Sequence, residues 1–123
     1  MKTVGYLEGT DSVYLTRLAA RGVDTLPLGN GADNHGKYIG FIDKTDGIDL
    51  VIGYLHKVVT LSHQKTTTQD MLQACLLNKI PVLLIVPKEL HENAREMLKN
   101  VTADIRLTDP TDVMSEARKI LAI

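Results

Sequence analysis

Two near-continuous apolar runs, IDLVIGYL at residues 48–55 and PVLLIV at 81–86, constrain this chain more than any other feature. A strand that is apolar at successive positions, and not only at alternate ones, is buried on both faces. Sheets buried on both faces are mostly parallel, and parallel strands must be joined by a crossover, usually a helix. The sequence between the runs supplies one. Thr66-Thr67-Thr68-Gln69-Asp70 opens a segment in which Leu72, Cys75, Leu76 and Ile80 recur at helical spacing. Thr67 and Asp70 stand at capping-box positions, with Asp in place of the usual Glu or Gln. Leu50 to Pro87 therefore reads as strand, polar loop, helix and strand.

The flanking sequence continues the alternation. Thr3 to Leu7 predicts a first strand, broken by Gly9, with Thr10 or Asp11 capping a helix that carries Tyr14, Leu15, Leu18 and Ala19 and stops at Gly22. Val23 to Leu28 predicts a second strand. Pro27 lacks a ladder donor, which puts it on an edge strand or at the last paired position. Ala32 to Thr45 supports either a helix capped by Asn34 or a strand through YIGFI; the helix is preferred, because Asp46-Gly47 would end it just before residue 48. Pro87 begins a helix with Leu90, Ala94, Met97, Leu98 and Val101 on one face, and Ala103 to Leu107 predicts a fifth strand. Asp109-Pro110-Thr111-Asp112 then starts a last helix, whose Val113, Met114, Ala117, Ile120 and Leu121 face the core. The expectation is one α/β domain over residues 1–123. It is a three-layer α/β/α sandwich around a five-stranded parallel sheet, flavodoxin-like or Rossmann-like, with strand order 2-1-3-4-5.

Fourteen Lys and Arg against fifteen Asp and Glu give a net charge of −1, which provides no pull towards nucleic acid or an anionic membrane. The single cysteine, Cys75, rules out an internal disulfide and suits a reducing compartment. It lies on an apolar helix stripe, the setting of a buried, inert thiol. The opening MKTVGYLEGTD has no long apolar core, and Val82 to Val86 is too short to span a bilayer, so a cytoplasmic protein is expected. Tyr38, Ile39, Phe41 and Ile42 together exceed what one helix face can bury, which suggests a homodimer through that segment.

In open parallel sheets ligands bind beyond the C-terminal strand ends, where the strand order reverses. That rule selects the loops after the first and third strands. Gly9, Thr10, Asp11 and Ser12 lie in one; Lys65, Thr66, Thr67 and Thr68 lie in the other, at a helix start. The amides, hydroxyls and ammonium of the second group suit a phosphate or carboxylate, although the same residues also suit plain helix capping. Glu8, at the end of the first strand, is the candidate carboxylate for base catalysis or for binding ribose hydroxyls; solvation is its alternative. His56 and His63 are seven residues apart with no third ligand, so no metal site is expected. Neither a dinucleotide fingerprint nor a P-loop is present, and no motif specifies a cofactor.

Asp49-Leu-Val-Ile-Gly, then Thr67-Thr68-Gln69-Asp70 with Ala74, then Lys79-Ile80-Pro81-Val82-Leu83 resembles the Rossmann-like nucleoside deoxyribosyltransferases and related nucleotide phosphoribohydrolases. The resemblance spans about residues 46–86. It implies phosphate binding at the threonine-rich turn and action of an acidic residue, here Asp70, at a glycosidic carbon. The glycine-rich turn of those families has no counterpart in this chain. A second resemblance, to Toprim domains, rests on Leu7-Glu8-Gly9-Thr10-Asp11 and Asp43-Lys44-Thr45-Asp46 and implies metal-dependent nucleic-acid chemistry. The leading expectation is a nucleotide-like or other small anionic ligand, with glycosidic-bond hydrolysis or transfer following from the first resemblance. A non-catalytic sensing or assembly subunit is the third class.

Overall fold

The computed structural model describes residues 1–59 and 67–123. Six strands form one sheet: β1 (Thr3–Leu7), β2 (Asp24–Gly29), β3 (Lys37–Tyr38), β4 (Leu50–Tyr54), β5 (Val82–Ile85) and β6 (Ile105–Thr108). Every pairing is parallel, and the spatial order is β3-β2-β1-β4-β5-β6. Among the described residues four α-helices flank it: α1 (Ser12–Ala19), α2 (Thr68–Leu77), α3 (His91–Met97) and α4 (Val113–Leu121).

The two apolar runs are continuous because each strand feeds two cores. Leu83 and Ile85 pack on one face with Val4, Leu50 and Ile52, under Leu18 of α1 and Val113, Ala117 and Leu121 of α4. Val82, Leu84 and Val86 pack on the other with Leu7, Leu28 and Val51, under Met71, Leu72 and Cys75 of α2, Ala94 of α3 and Leu98 just after it. Successive side chains of a strand point to opposite faces, so both faces draw on one run.

Four expectations need correction. The sheet has six strands, not five, so the order 2-1-3-4-5 gives way to the six-strand order above. The sixth comes from the segment read as a helix over residues 32–45. That segment is instead a loop, the two-residue β3, and single 3₁₀ turns at Ile39–Phe41 and Lys44–Asp46. Gly36 is one cause: it sits at φ +70, and a Cβ there would lie 2.3 Å from the Pro27 carbonyl oxygen. A helix cannot pass through such a residue, and only glycine fits it without strain. Third, β2 is not an edge strand, because β3 pairs with Leu28 and Gly29, directly after Pro27. Fourth, Ala19, Leu90 and Met97 are exposed although their spacing put them on core faces.

The expected crowding around Tyr38 resolves without a helix. Ile39 and Ile42 enter the core, Tyr38 is half-buried, and Phe41 stays exposed with its ring edge-on to Tyr38 at 5.1 Å. No helix among the described residues is long and apolar enough to cross a membrane.

Candidate functional site

The strand order reverses between β1 and β4: the chain moves outward from β1 to β2 and β3, then returns to β4 on the other side of β1. Crevices at such reversals, beyond the C-terminal strand ends, are where ligands bind in sheets of this type. Here the crevice is spanned by one side chain, Lys57. It follows β4 in a single 3₁₀ turn, Leu55–Lys57. Its Nζ donates to Glu8 Oε2 at 2.5 Å, on the loop after β1, and to Asp33 Oδ2 at 2.9 Å, on the loop after β2. Three loops thus meet at one ammonium.

Local chemistry positions each partner. Gly9 takes φ +85, which turns the chain sharply after Glu8, and a Cβ there would sit 3.6 Å from the Lys57 Cε. Asn30 organises the opposite wall. Its Oδ1 accepts from the amides of Ala32 and Asp33, both at 2.9 Å, in an Asx turn, and its Nδ2 donates to the Lys57 carbonyl at 3.0 Å. Thr68 donates from its hydroxyl to the Val58 carbonyl at 2.6 Å, which ties the start of α2 to the residue after Lys57.

The hydrogen bond that Lys57 donates to Glu8, then the one it donates to Asp33, holds its ammonium above the ordinary lysine range. Lys57 is therefore a fixed cation and not a general base. With two carboxylates around one ammonium, the cluster carries excess negative charge. A phosphate placed directly on it would be repelled, whereas hydroxyl donors would be attracted. Side-chain exposure is 15% for Lys57, 28% for Asp33 and 45% for Glu8, so Glu8 presents the most accessible carboxylate.

Lys57→Met is expected to destabilise the protein by about 1–2 kcal/mol, because it removes two partly screened ion pairs and leaves two carboxylates facing each other. Urea unfolding measures this; an unchanged midpoint would mean that the carboxylates resolvate at no cost. Because its pKa is raised, the lysine's share of stability is complete below pH 10.5 and is lost only as pH climbs through the raised value.

The sequence-selected residues divide by role. Glu8 and Gly9 line the crevice. Thr10 folds back, donating from Oγ1 to the Leu7 carbonyl at 2.7 Å. Asp11 caps α1, accepting from the Val13 amide at 2.9 Å, and Ser12 is the first residue of that helix. Thr67 and Asp70 form a reciprocal capping box: Thr67 Oγ1 accepts from the Asp70 amide at 3.1 Å, and Asp70 Oδ2 from the Thr67 amide at 3.4 Å. Asp70 is thus engaged in the helix cap. Lys65 and Thr66, and His63 with them, lie outside the described residues.

Asp49, the first residue of the deoxyribosyltransferase-like stretch, precedes β4 and accepts the Thr3 amide at 2.9 Å, at the end of the sheet away from the crevice. The Toprim-like acids are also committed. Asp43 and Asp46 form a second capping box, and Asp46 pairs with Lys37 at 2.8 Å. Among the described residues, no three His, Cys, Asp or Glu side chains converge as metal ligands would.

Sequence reasoning missed Lys57, Asp33 and Asn30. Asn30 had a local signal in Gly29-Asn30-Gly31, which marks a turn. Lys57 and Asp33 had none, since their partners are 49 and 24 residues away along the chain. The chain matches no protein-family model and no curated protein.

Proposed function

We propose that this chain binds a nucleotide-like ligand across the crevice between the loops after β1 and β4. The bridging of Glu8 and Asp33 by Lys57 is the observation that carries this. It presents an oriented, accessible carboxylate at the point where sheets of this type take ligands. In this reading Glu8 accepts the sugar hydroxyls. The phosphate lies away from the acidic cluster, at the start of α2, on the Thr68 and Gln69 amides that the capping box does not use. The sugar carboxylate is Glu8 and not Asp70, because Asp70 is turned into the helix cap.

Thermal unfolding with nucleosides, nucleoside monophosphates, sugar phosphates and inorganic phosphate tests this. A true ligand at a hundred times its Kd adds roughly 2.7 kcal/mol, a rise of roughly 10 °C for a chain of this size. Glu8→Gln is expected to weaken a nucleoside or nucleotide tenfold or more and to spare inorganic phosphate. Absence of any shift at millimolar concentration would remove the proposal. Chromatography of the bound nucleotide then separates the two subclasses: released base marks glycosidic cleavage, and intact ligand marks a sensing role.

A further inference from the structure

We propose that the groove between α1 and α4 binds a small polyphosphorylated anion, at a site separate from the strand-end crevice. The groove has a volume of about 600 Å³ and is lined by Arg17, Ala20 and Arg21 from the α1 side and by Met114 and Arg118 from α4. Arg17 lies in the last turn of α1 and Arg21 in the turn just after it, and both line the groove with the short Ala20 between them. Three of the five arginines in the chain line this groove.

None of the lining residues is acidic. Among the described residues none of the three arginines forms an ion pair, whereas Arg106 is held by Asp104 at 3.1 Å. Arg17 and Arg118 each sit in the last turn of a helix, where a cation complements the dipole. That accounts for the placing of Arg17 and Arg118. It does not account for three guanidinium groups lining one groove without a counter-charge in a chain of net charge −1.

The ligand class follows from the side chains. A guanidinium donates two parallel hydrogen bonds to a phosphoryl group, and three such groups around one groove match a di- or triphosphate. No aromatic ring lines the groove, so nothing there stacks a base of single-stranded nucleic acid. The near-zero net charge gives none of the extended positive field that a polynucleotide backbone needs. A small polyphosphate compound fits better than either.

Titration calorimetry at low salt with inorganic tripolyphosphate tests the site. One tight site is expected beside any weaker binding at the start of α2, and Arg118→Gln should weaken the tight site about tenfold, with a further loss from Arg17→Gln. All three arginines are exposed, so the variants should stay folded and lose only the small helix-end contribution of Arg17 and Arg118, which thermal unfolding checks alongside. Glu8→Gln and Arg95→Gln, the latter on α3, should leave the affinity unchanged. Three results would overturn the proposal: no binding at millimolar tripolyphosphate; equal loss in Arg95→Gln, which marks diffuse attraction; or full affinity in the Arg17, Arg21 and Arg118 triple glutamine variant. In the last case the anion sits elsewhere, and the start of α2 is the place to look.

Discussion

Leu84→Ala is expected to lower the unfolding free energy by about 2–5 kcal/mol, the usual range for a leucine truncated in a packed core. Leu84 is fully buried in β5, paired with Gly53 on β4 and Leu107 on β6. The loss has two parts: the apolar surface returned to water in the unfolded state, and the void left in the folded one. The void is hard to close here. Hydrogen-bonded strands hold the backbone on both sides, and Gly53 has no side chain to move in. Leu7 could relax part of the way, since it already covers Gly53: a Cβ on Gly53 would lie 2.8 Å from Leu7 Cδ1. Urea unfolding with an unchanged slope gives the value directly. A loss under about 1 kcal/mol is what surface positions show, and it would contradict a central β5.

The parallel α/β architecture was legible because burial on both faces leaves an unmistakable pattern. Leu50-Val51-Ile52 and Val82-Leu83-Leu84-Ile85 are apolar at every position, and only a two-sided sheet needs that. Caps were legible for a similar reason: Asp11, Thr67 and Asp109 each accept from an amide two or three residues on, so the signal is local. Residues 32–45 were misread where the local signals conflict. A cap at Asn34 and a stop at Asp46-Gly47 favoured a helix, and Gly36 and Gly40 opposed it. The deciding fact is tertiary: the loop closes on Pro27, and Tyr38 pairs with Gly29. Nothing in the segment itself encodes those contacts.

The candidate site was half legible. The rule about strand ends selected Glu8 and the helix start at Thr67-Thr68, and the loop after β1 does face the loop after β4 through the Glu8–Lys57 pair. The charge balance of the site was not legible. A lysine in HKVV has no sequence mark that separates it from a solvated one. Its role exists only because three loops converge, and convergence depends on strand order. The same limit applies to the arginine groove: Arg17 and Arg118 are 101 residues apart, and only the packing of α1 on α4 brings them together.

Cys75 offers a second large effect, and it reads out the same core as Leu84. Burial pushes its thiol from 9.0 up to about 12, and the side chain has no exposed surface. At pH 8 the thiolate fraction should fall roughly a thousandfold relative to an unshifted thiol, and the thiolate is the species that reacts. Contact with a reagent is blocked as well. Labelling by a disulfide reagent should therefore proceed through opening, at the intrinsic rate times the open fraction, when reclosing is faster than reaction. Cys75 on α2 and Leu84 on β5 belong to one buried cluster. If opening of α2 is global unfolding, Leu84→Ala should speed labelling by the factor it adds to the unfolded fraction, roughly thirtyfold for 2 kcal/mol and thousands for 5. An unchanged rate in Leu84→Ala would mean that α2 detaches by itself while the sheet stays intact, a local opening of the kind native proteins show. Native labelling within a few-fold of the unfolded rate would contradict the burial of Cys75 and, with it, the packing of α2 on β4 and β5.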